Sequence, residues 1–174
     1  MMQSNELTRR EVLVSAGALL SGLVISGARP AMAPAAASSR ASNSSATAAG
    51  PITIGKDMTV NRLGFGAMRV TGDGIWGEPP DVSEAKRVLR LAVELGVDFI
   101  DTADAYGPDV SERLIAEALH PYPKGLVIAT KGGIVRPARE KWERDGRPAH
   151  LREACEASLK RLRLERIDLY QLHA

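Results

Sequence analysis

The chain has 174 residues, 44% of them hydrophobic and 25% charged, with a formal net charge of +2. That is the make-up of one ordinary globular domain. Arg9, Arg10, Arg29 and Arg40 lie in the first fifty residues against Glu6 and Glu11, which leaves residues 51–174 neutral. The basic balance therefore comes from the N-terminal stretch, and nucleic-acid binding is not expected. Cys155 is the sole cysteine, so an internal disulfide is excluded.

The chain opens with Thr8-Arg9-Arg10-Glu11, an apolar run from Val12 to Ala28, and then Arg29-Pro30-Ala31-Met32-Ala33. A charged start, an apolar middle and small residues at the end read as an export leader over 1–33, flexible or helical. The paired arginines resemble a twin-arginine signal, an address read by export machinery, although Val12 stands where that motif usually has Phe. Export to the periplasm is the expectation, with a membrane anchor or a cytoplasmic protein as the alternatives. Six Ser and Gly residues dilute the apolar run, which is shorter than the roughly 20 residues a membrane span needs. Residues 34–50, rich in Ala and Ser, read as a flexible linker.

From residue 51 a strand–helix alternation begins. Ile52–Ile54 and Met58–Val60 around Gly55-Lys56-Asp57 predict a hairpin, and Leu63–Met68 a short buried strand. Asp81 with Glu84 three positions on predicts a capped helix. Its apolar face is Val88, Leu89, Leu91, Ala92 and Leu95, and Gly96 stops it. Val97–Ile100 is the next strand. Ser111 is the expected cap of a second helix bearing Leu114, Ile115, Ala118 and Leu119, which ends before Pro121. Leu126–Thr130 is a third strand. Leu151, Ala154, Cys155, Ser158, Leu159 and Leu162 mark a third helix, and Ile167–Leu172 a fourth strand. The alternation implies parallel crossovers, in either a doubly wound sheet or a (β/α)8 barrel.

Four polar residues fall at the C-terminal ends of these strands or just beyond: Asp101, Tyr106, Lys131 and His173. In a parallel barrel those ends face the active site. A carbonyl that accepts hydride develops oxyanion character and needs a proton. A phenol is a reluctant donor at neutral pH, and a lysine cation beside it favours its ionised form. A carboxylate can hold that lysine, and an imidazole can orient the carbonyl. The hydride itself must come from a cofactor. Gly64-Phe65-Gly66 does not complete a dinucleotide fingerprint, since Arg69 stands at the third glycine position. Those glycines read as close packing instead. No metal site is read. Trp76 is either a wall of the substrate pocket or a packed loop anchor. Trp142 lies in a charged loop expected to be solvated, and Cys155 reads as an inert core thiol. His120 and His150 read as capping or surface residues.

Phe99-Ile100-Asp101-Thr102-Ala103-Asp104-Ala105-Tyr106-Gly107 resembles the signature of the aldo-keto reductases. So do Asn61–Met68, Ala129-Thr130-Lys131, and Leu169-Tyr170-Gln171-Leu172-His173. The resemblance covers 51–174. It implies the N-terminal half of a (β/α)8 TIM barrel, strands one to four, behind a leading β-hairpin. It implies Asp101, Tyr106, Lys131 and His173 as a catalytic tetrad with Tyr106 as general acid. Asp101 and Lys131 would also border the cofactor, and Trp76, Tyr106 and His173 would line the substrate pocket. The cofactor would be NADP(H), or NAD, and the substrate a small aldehyde or ketone. The loop Asp73–Pro80 and Pro121-Tyr122 are similar to a bacterial subgroup that includes pyridoxal reductase. A full barrel of this type runs to roughly 250 residues. The expectation is therefore impaired turnover and weak cofactor binding for this chain, with self-association through open barrel edges. A non-catalytic half-barrel that binds a ligand or partner is the alternative.

Overall fold

The structure is a computed structural model, and it describes residues 45–174. The expected export leader 1–33 and residues 34–44 of the expected linker lie outside the described residues. The end of that linker differs from expectation. Residues 46–49 form a single 3-10 turn capped by the Ser45 hydroxyl. The turn is docked rather than loose: Ala46 N–H and the Ser45 hydroxyl both donate to the Leu95 carbonyl, at 2.7 and 3.2 Å. Ala46 joins the hydrophobic core.

Strands β1 (Pro51–Ile54) and β2 (Met58–Asn61) pair antiparallel as the expected hairpin. Then come β3 (Phe65–Gly66), α1 (Val82–Glu94), β4 (Phe99–Asp101), α2 (Val110–Leu119) and β5 (Val127–Gly132). A small hairpin of β6 (Ile134–Val135) and β7 (Glu143–Arg144) precedes α3 (Pro148–Leu162) and β8 (Leu169–Leu172). The main sheet is parallel throughout, in the order β3-β4-β5-β8. Each new strand is added beside the last, with no return across the first strand. That is the winding of a (β/α)8 barrel, whereas a doubly wound sheet reverses at a switch point.

The helices follow from local chemistry. Asp81 accepts the Glu84 N–H at 2.9 Å, which satisfies one orphan donor of α1. The capping box is only half made, because the Glu84 carboxylate turns to Arg87 at 2.7 Å. At the other end Gly96 N–H bonds Val93 O and Val97 N–H bonds Ala92 O, with Gly96 at φ +88. That is the paired C-terminal closure that a left-handed residue permits. Ala85, Leu89 and Ala92 take the buried face of α1. Leu91 and Leu95, expected inside, stand exposed. Leu89, Ile100, Leu114, Ile115 and Leu162 are fully buried and form the centre of the core. Each such side chain contributes about 1.5–3 kcal/mol by leaving water.

Two further expectations need correction. The strand read over Leu63–Met68 shrinks to Phe65–Gly66, and Ala67–Val70 curls into a 3-10 turn. Gly64 does pack closely, since a Cβ there would meet the Phe99 ring at 3.1 Å, but Gly66 faces open space. Ser111 does not cap α2. Asp109 holds the cap position in a left-handed conformation, and Ser111 lies inside the helix. Its buried hydroxyl meets Thr102 Oγ1 at 2.8 Å and donates to the Ala67 carbonyl at 3.1 Å. A tertiary contact has taken the hydroxyl that local propensity assigned to the helix end.

Candidate functional site

Sheet register brings the polar residues to one end. Gly66, Asp101, Ala129 and Leu169 lie side by side across the four strands, and Lys131 lies level with Gln171. Asp101 thus closes β4, Lys131 stands two residues further up β5, and His173 follows β8. Lys131 Nζ donates to both Asp101 carboxylate oxygens at 2.7 Å and to the Thr102 carbonyl at 2.8 Å. All three ammonium protons have acceptors, so this amine is fixed in place. The lysine side chain is 15% exposed and the aspartate 36%, which opens the pair to solvent on the carboxylate side.

Tyr106 comes from the loop between β4 and α2. Its N–H bonds the Ala103 carbonyl and its carbonyl accepts the Ser111 N–H, so the residue is stapled at both ends. Gly107 next to it sits at φ +100 with no room for a Cβ against Val110. The Tyr106 ring is buried. Lys131 Nζ lies 5.3 Å from its centroid, and the His173 ring stands edge-on at 5.7 Å. Among the described residues, no protein group bonds the Tyr106 hydroxyl. Burial and the Lys131 charge push the His173 imidazole below its usual range, with Asp101 opposing. That favours the neutral ring, which carries a single N–H. Its Nδ1 is buried without a partner, as is Gln171 Oε1.

Trp76 is half-buried and lies beside this loop, bridged to Gly107 as in a parallel sheet. Gly77 N–H donates to Gly107 O at 2.5 Å, and Gly107 N–H to Ile75 O at 3.3 Å. The loop that carries Trp76 is thus laced to the loop that carries Tyr106. The expected tetrad and Trp76 therefore all lie at the same end of the sheet.

Two residues near the site were assigned no role from the sequence. One is Arg136, whose guanidinium is buried between the loops. The other is Asp104. Burial and the nearby Glu112 raise its carboxyl to about 7, with the Ala105 N–H and Arg161 opposing. Asp104 lines a cavity of about 290 Å³ with Arg136, His150 and Arg161. His150, expected to be a capping or surface residue, lies in the first turn of α3 with its Nε2 buried there without a partner. Cys155 is half-buried, and burial raises its thiol, which fits an inert role.

Asp104 makes a testable contribution to pH dependence. Its carboxyl ionises near ~4 when unfolded and at about 7 when folded. The stabilisation is therefore full below the unfolded value and is lost as pH rises through about 7. The Asp104→Asn variant should lack this loss. Thermal midpoints from about pH 4 to 8 should show the native protein declining against the variant by roughly 1–2 kcal/mol, allowing for partial solvent screening. Parallel curves would show that the carboxyl is not held neutral.

The Aldo/keto reductase family profile matches residues 62–174. The chain belongs to the aldo/keto reductase family. An uncharacterised oxidoreductase of Schizosaccharomyces pombe is 56% identical over 74% of this chain and 41% of its own length. A pyridoxine 4-dehydrogenase of Escherichia coli is 45% identical over 66% of this chain and 40% of its own. Among solved structures, aldo-keto reductase AKR11C1 from Bacillus halodurans in its holo form is 34% identical with a TM-score of 0.62, covering 71% of this chain and 39% of that one. The glycerol dehydrogenase AKR11B4 from Gluconobacter oxydans is 38% identical at the same TM-score of 0.62, covering 72% and 39%. This aldo/keto reductase chain thus spans about 40% of the length of the curated relatives it matches. Its four parallel strands are part of that family's barrel, and the family is one of oxidoreductases.

Proposed function

We propose that this chain carries the proton-donating side of a nicotinamide-dependent carbonyl reduction, in which an aldehyde or ketone becomes an alcohol. One observation carries the reading. Lys131, held by Asp101, lies over the Tyr106 ring and His173 stands edge-on to it, while the Tyr106 hydroxyl bonds no protein group among the described residues. An unbonded hydroxyl on a ring with a fixed cation over it is a proton donor with its acceptor still to come.

The donor set suits a bound nicotinamide. Gln171 Oε1 and His173 Nδ1 are buried polar atoms without partners, and such atoms are costly unless a ligand or water bonds them. Asp101 and Lys131 would border the ring, and Gln171 offers an acceptor to a carboxamide. When bound, the dihydronicotinamide supplies the hydride. Tyr106 gives its phenolic proton to the developing alkoxide. Lys131 stabilises the phenolate left behind, and Asp101 keeps the ammonium in place. The neutral His173 imidazole donates to the carbonyl oxygen and orients it.

A relative 45% identical is named a pyridoxine 4-dehydrogenase, which makes pyridoxal the first carbonyl to test. A small aliphatic aldehyde should follow. NADPH and NADH should each be mixed with the full chain in excess, and loss of the reduced-nicotinamide signal followed. Carbonyl-dependent oxidation supports the reading. Its absence with every aldehyde, despite nicotinamide binding, would leave the half-barrel as a binding fragment. Export is a separate proposal, supported by Arg9-Arg10 and the small residues at 31–33. Cell fractionation with N-terminal sequencing tests it, and an intact Met1 in the cytoplasm would overturn it.

A further inference from the structure

Arg136 follows β6 and is 8% exposed. A guanidinium has five N–H donors in a rigid fork. Here the five meet five backbone carbonyls. Nε donates to Lys141 O at 3.0 Å, Nη1 to Ile75 O at 3.1 Å and Ala105 O at 3.2 Å, and Nη2 to Gly74 O at 3.4 Å and Arg139 O at 2.6 Å. Two indole rings lie near the guanidinium as well. The Trp142 ring lies 3.6 Å from the guanidinium carbon and the Trp76 ring 5.3 Å. Among the described residues no carboxylate forms an ion pair with Arg136, so carbonyl dipoles and indole faces meet its charge directly, and Glu140 opposes the effect of burial only from a greater distance.

The acceptors sit at telling positions. Ala105 directly precedes Tyr106, and Ile75 directly precedes Trp76. Ile75 is also a β-branched residue at φ +57, a conformation that costs on the order of 1–3 kcal/mol unless the surroundings impose it. Its carbonyl takes hydrogen bonds from both Arg136 and Gly107. One side chain therefore fixes the two peptide planes from which Tyr106 and Trp76 project.

We propose that Arg136 is a positioning residue that locks the loop bearing Tyr106 to the loop bearing Trp76, setting the proton donor and the pocket wall as one unit. The inference rests on Tyr106 as the proton donor. Its geometric half stands apart from that reading and can be tested without turnover. Lysine cannot replace arginine here, since a point ammonium with three protons cannot span five carbonyls.

The test compares the full chain with Arg136→Lys and Arg136→Gln. Trp76 and Trp142 are the two tryptophans of the chain, and both lie near the guanidinium. Quenching of tryptophan emission by acrylamide should rise about twofold in each variant as the indoles come free. Amide exchange at Gly77 and Gly107 should speed by roughly tenfold or more, while the amides of α1 keep their protection. Single-turnover hydride transfer should fall about tenfold or more with nicotinamide affinity unchanged, because a donor displaced by even an ångström loses reactivity. Methylguanidinium added to Arg136→Ala should restore part of the rate, which a general loss of stability would not allow.

Unchanged exchange at Gly77 and Gly107 in a folded Arg136→Gln chain would overturn the lock. Faster exchange with an unchanged transfer rate would overturn its control of Tyr106. If the native chain transfers no hydride, the functional reading fails, and exchange and quenching still decide the lock. If Arg136→Gln does not fold, Arg136→Lys, which keeps the charge, gives the same decision.

Discussion

Tyr106→Phe should abolish most carbonyl reduction while leaving the protein as stable as before. The Tyr106 hydroxyl bonds no protein group among the described residues, and its ring is buried against Lys131 and His173. Phenylalanine keeps the ring and its packing, so the thermal midpoint should move by less than about 0.5 kcal/mol equivalent. The proton donor is gone, however, and positioned proton transfer contributes about 100- to 10,000-fold. The rate of single-turnover hydride transfer should fall within that range. Nicotinamide affinity should stay within about twofold, because the hydroxyl acts on the reacting carbonyl rather than on cofactor binding. Equal rates in the two proteins would remove Tyr106 from the chemistry and, with it, the proposed reaction. A large loss of stability would instead mean that the hydroxyl has a structural partner.

How much of this was legible in the sequence depends on where each interaction's partner lies. Asp101, Lys131 and His173 were readable because a parallel sheet puts strand ends at one face, and spacing by one strand–helix unit follows from that. The ends of α1 were readable because Asp81 and Gly96 act on backbone two or three residues away. Ser111 failed that logic, since its hydroxyl is claimed by Thr102 and Ala67 from other elements. Arg136 was invisible for a stronger reason. Its acceptors are main-chain carbonyls of Gly74, Ile75, Ala105, Arg139 and Lys141, and a carbonyl leaves no mark on residue type. Trp142 is exposed in its charged loop as expected, but its stacking on that guanidinium was invisible for the same reason. Leu91 and Leu95 fit the period of α1 but lie outside the stripe that Ala85, Leu89 and Ala92 bury. Periodicity marks an apolar face but not which edge of it finds a neighbour.

The largest stability effect should come from Arg161→Met. Glu112 on α2 has no exposed side-chain surface, and its two oxygens are shared between two elements. Arg161 on α3 donates to Oε2 at 2.6 Å, and Thr130 on β5 donates to Oε1 at 2.5 Å. Asp109 at the cap of α2 holds the same arginine at 3.2 Å. Methionine matches much of the arginine stem but leaves a carboxylate in the core without its counter-charge. Such a loss costs about 3–5 kcal/mol, more than the intact pair contributes against an apolar replacement. The thermal midpoint should drop by roughly 10 °C or more. Adding Glu112→Gln should then recover much of the loss, since a neutral amide can still accept from Thr130 without a charge to bury. That non-additivity, of about 1–3 kcal/mol across the double-mutant cycle, is the decisive quantity. A double variant as unstable as the sum of the singles would show that Arg161 acts by packing alone. The consequence reaches the site. Thr130 directly precedes Lys131, Asp109 ends the loop that holds Tyr106, and α3 leads into the strand before His173. Recovery of stability in the double variant should therefore bring back the slow amide exchange of Gly107 and the edge-on contact of Tyr106 with His173.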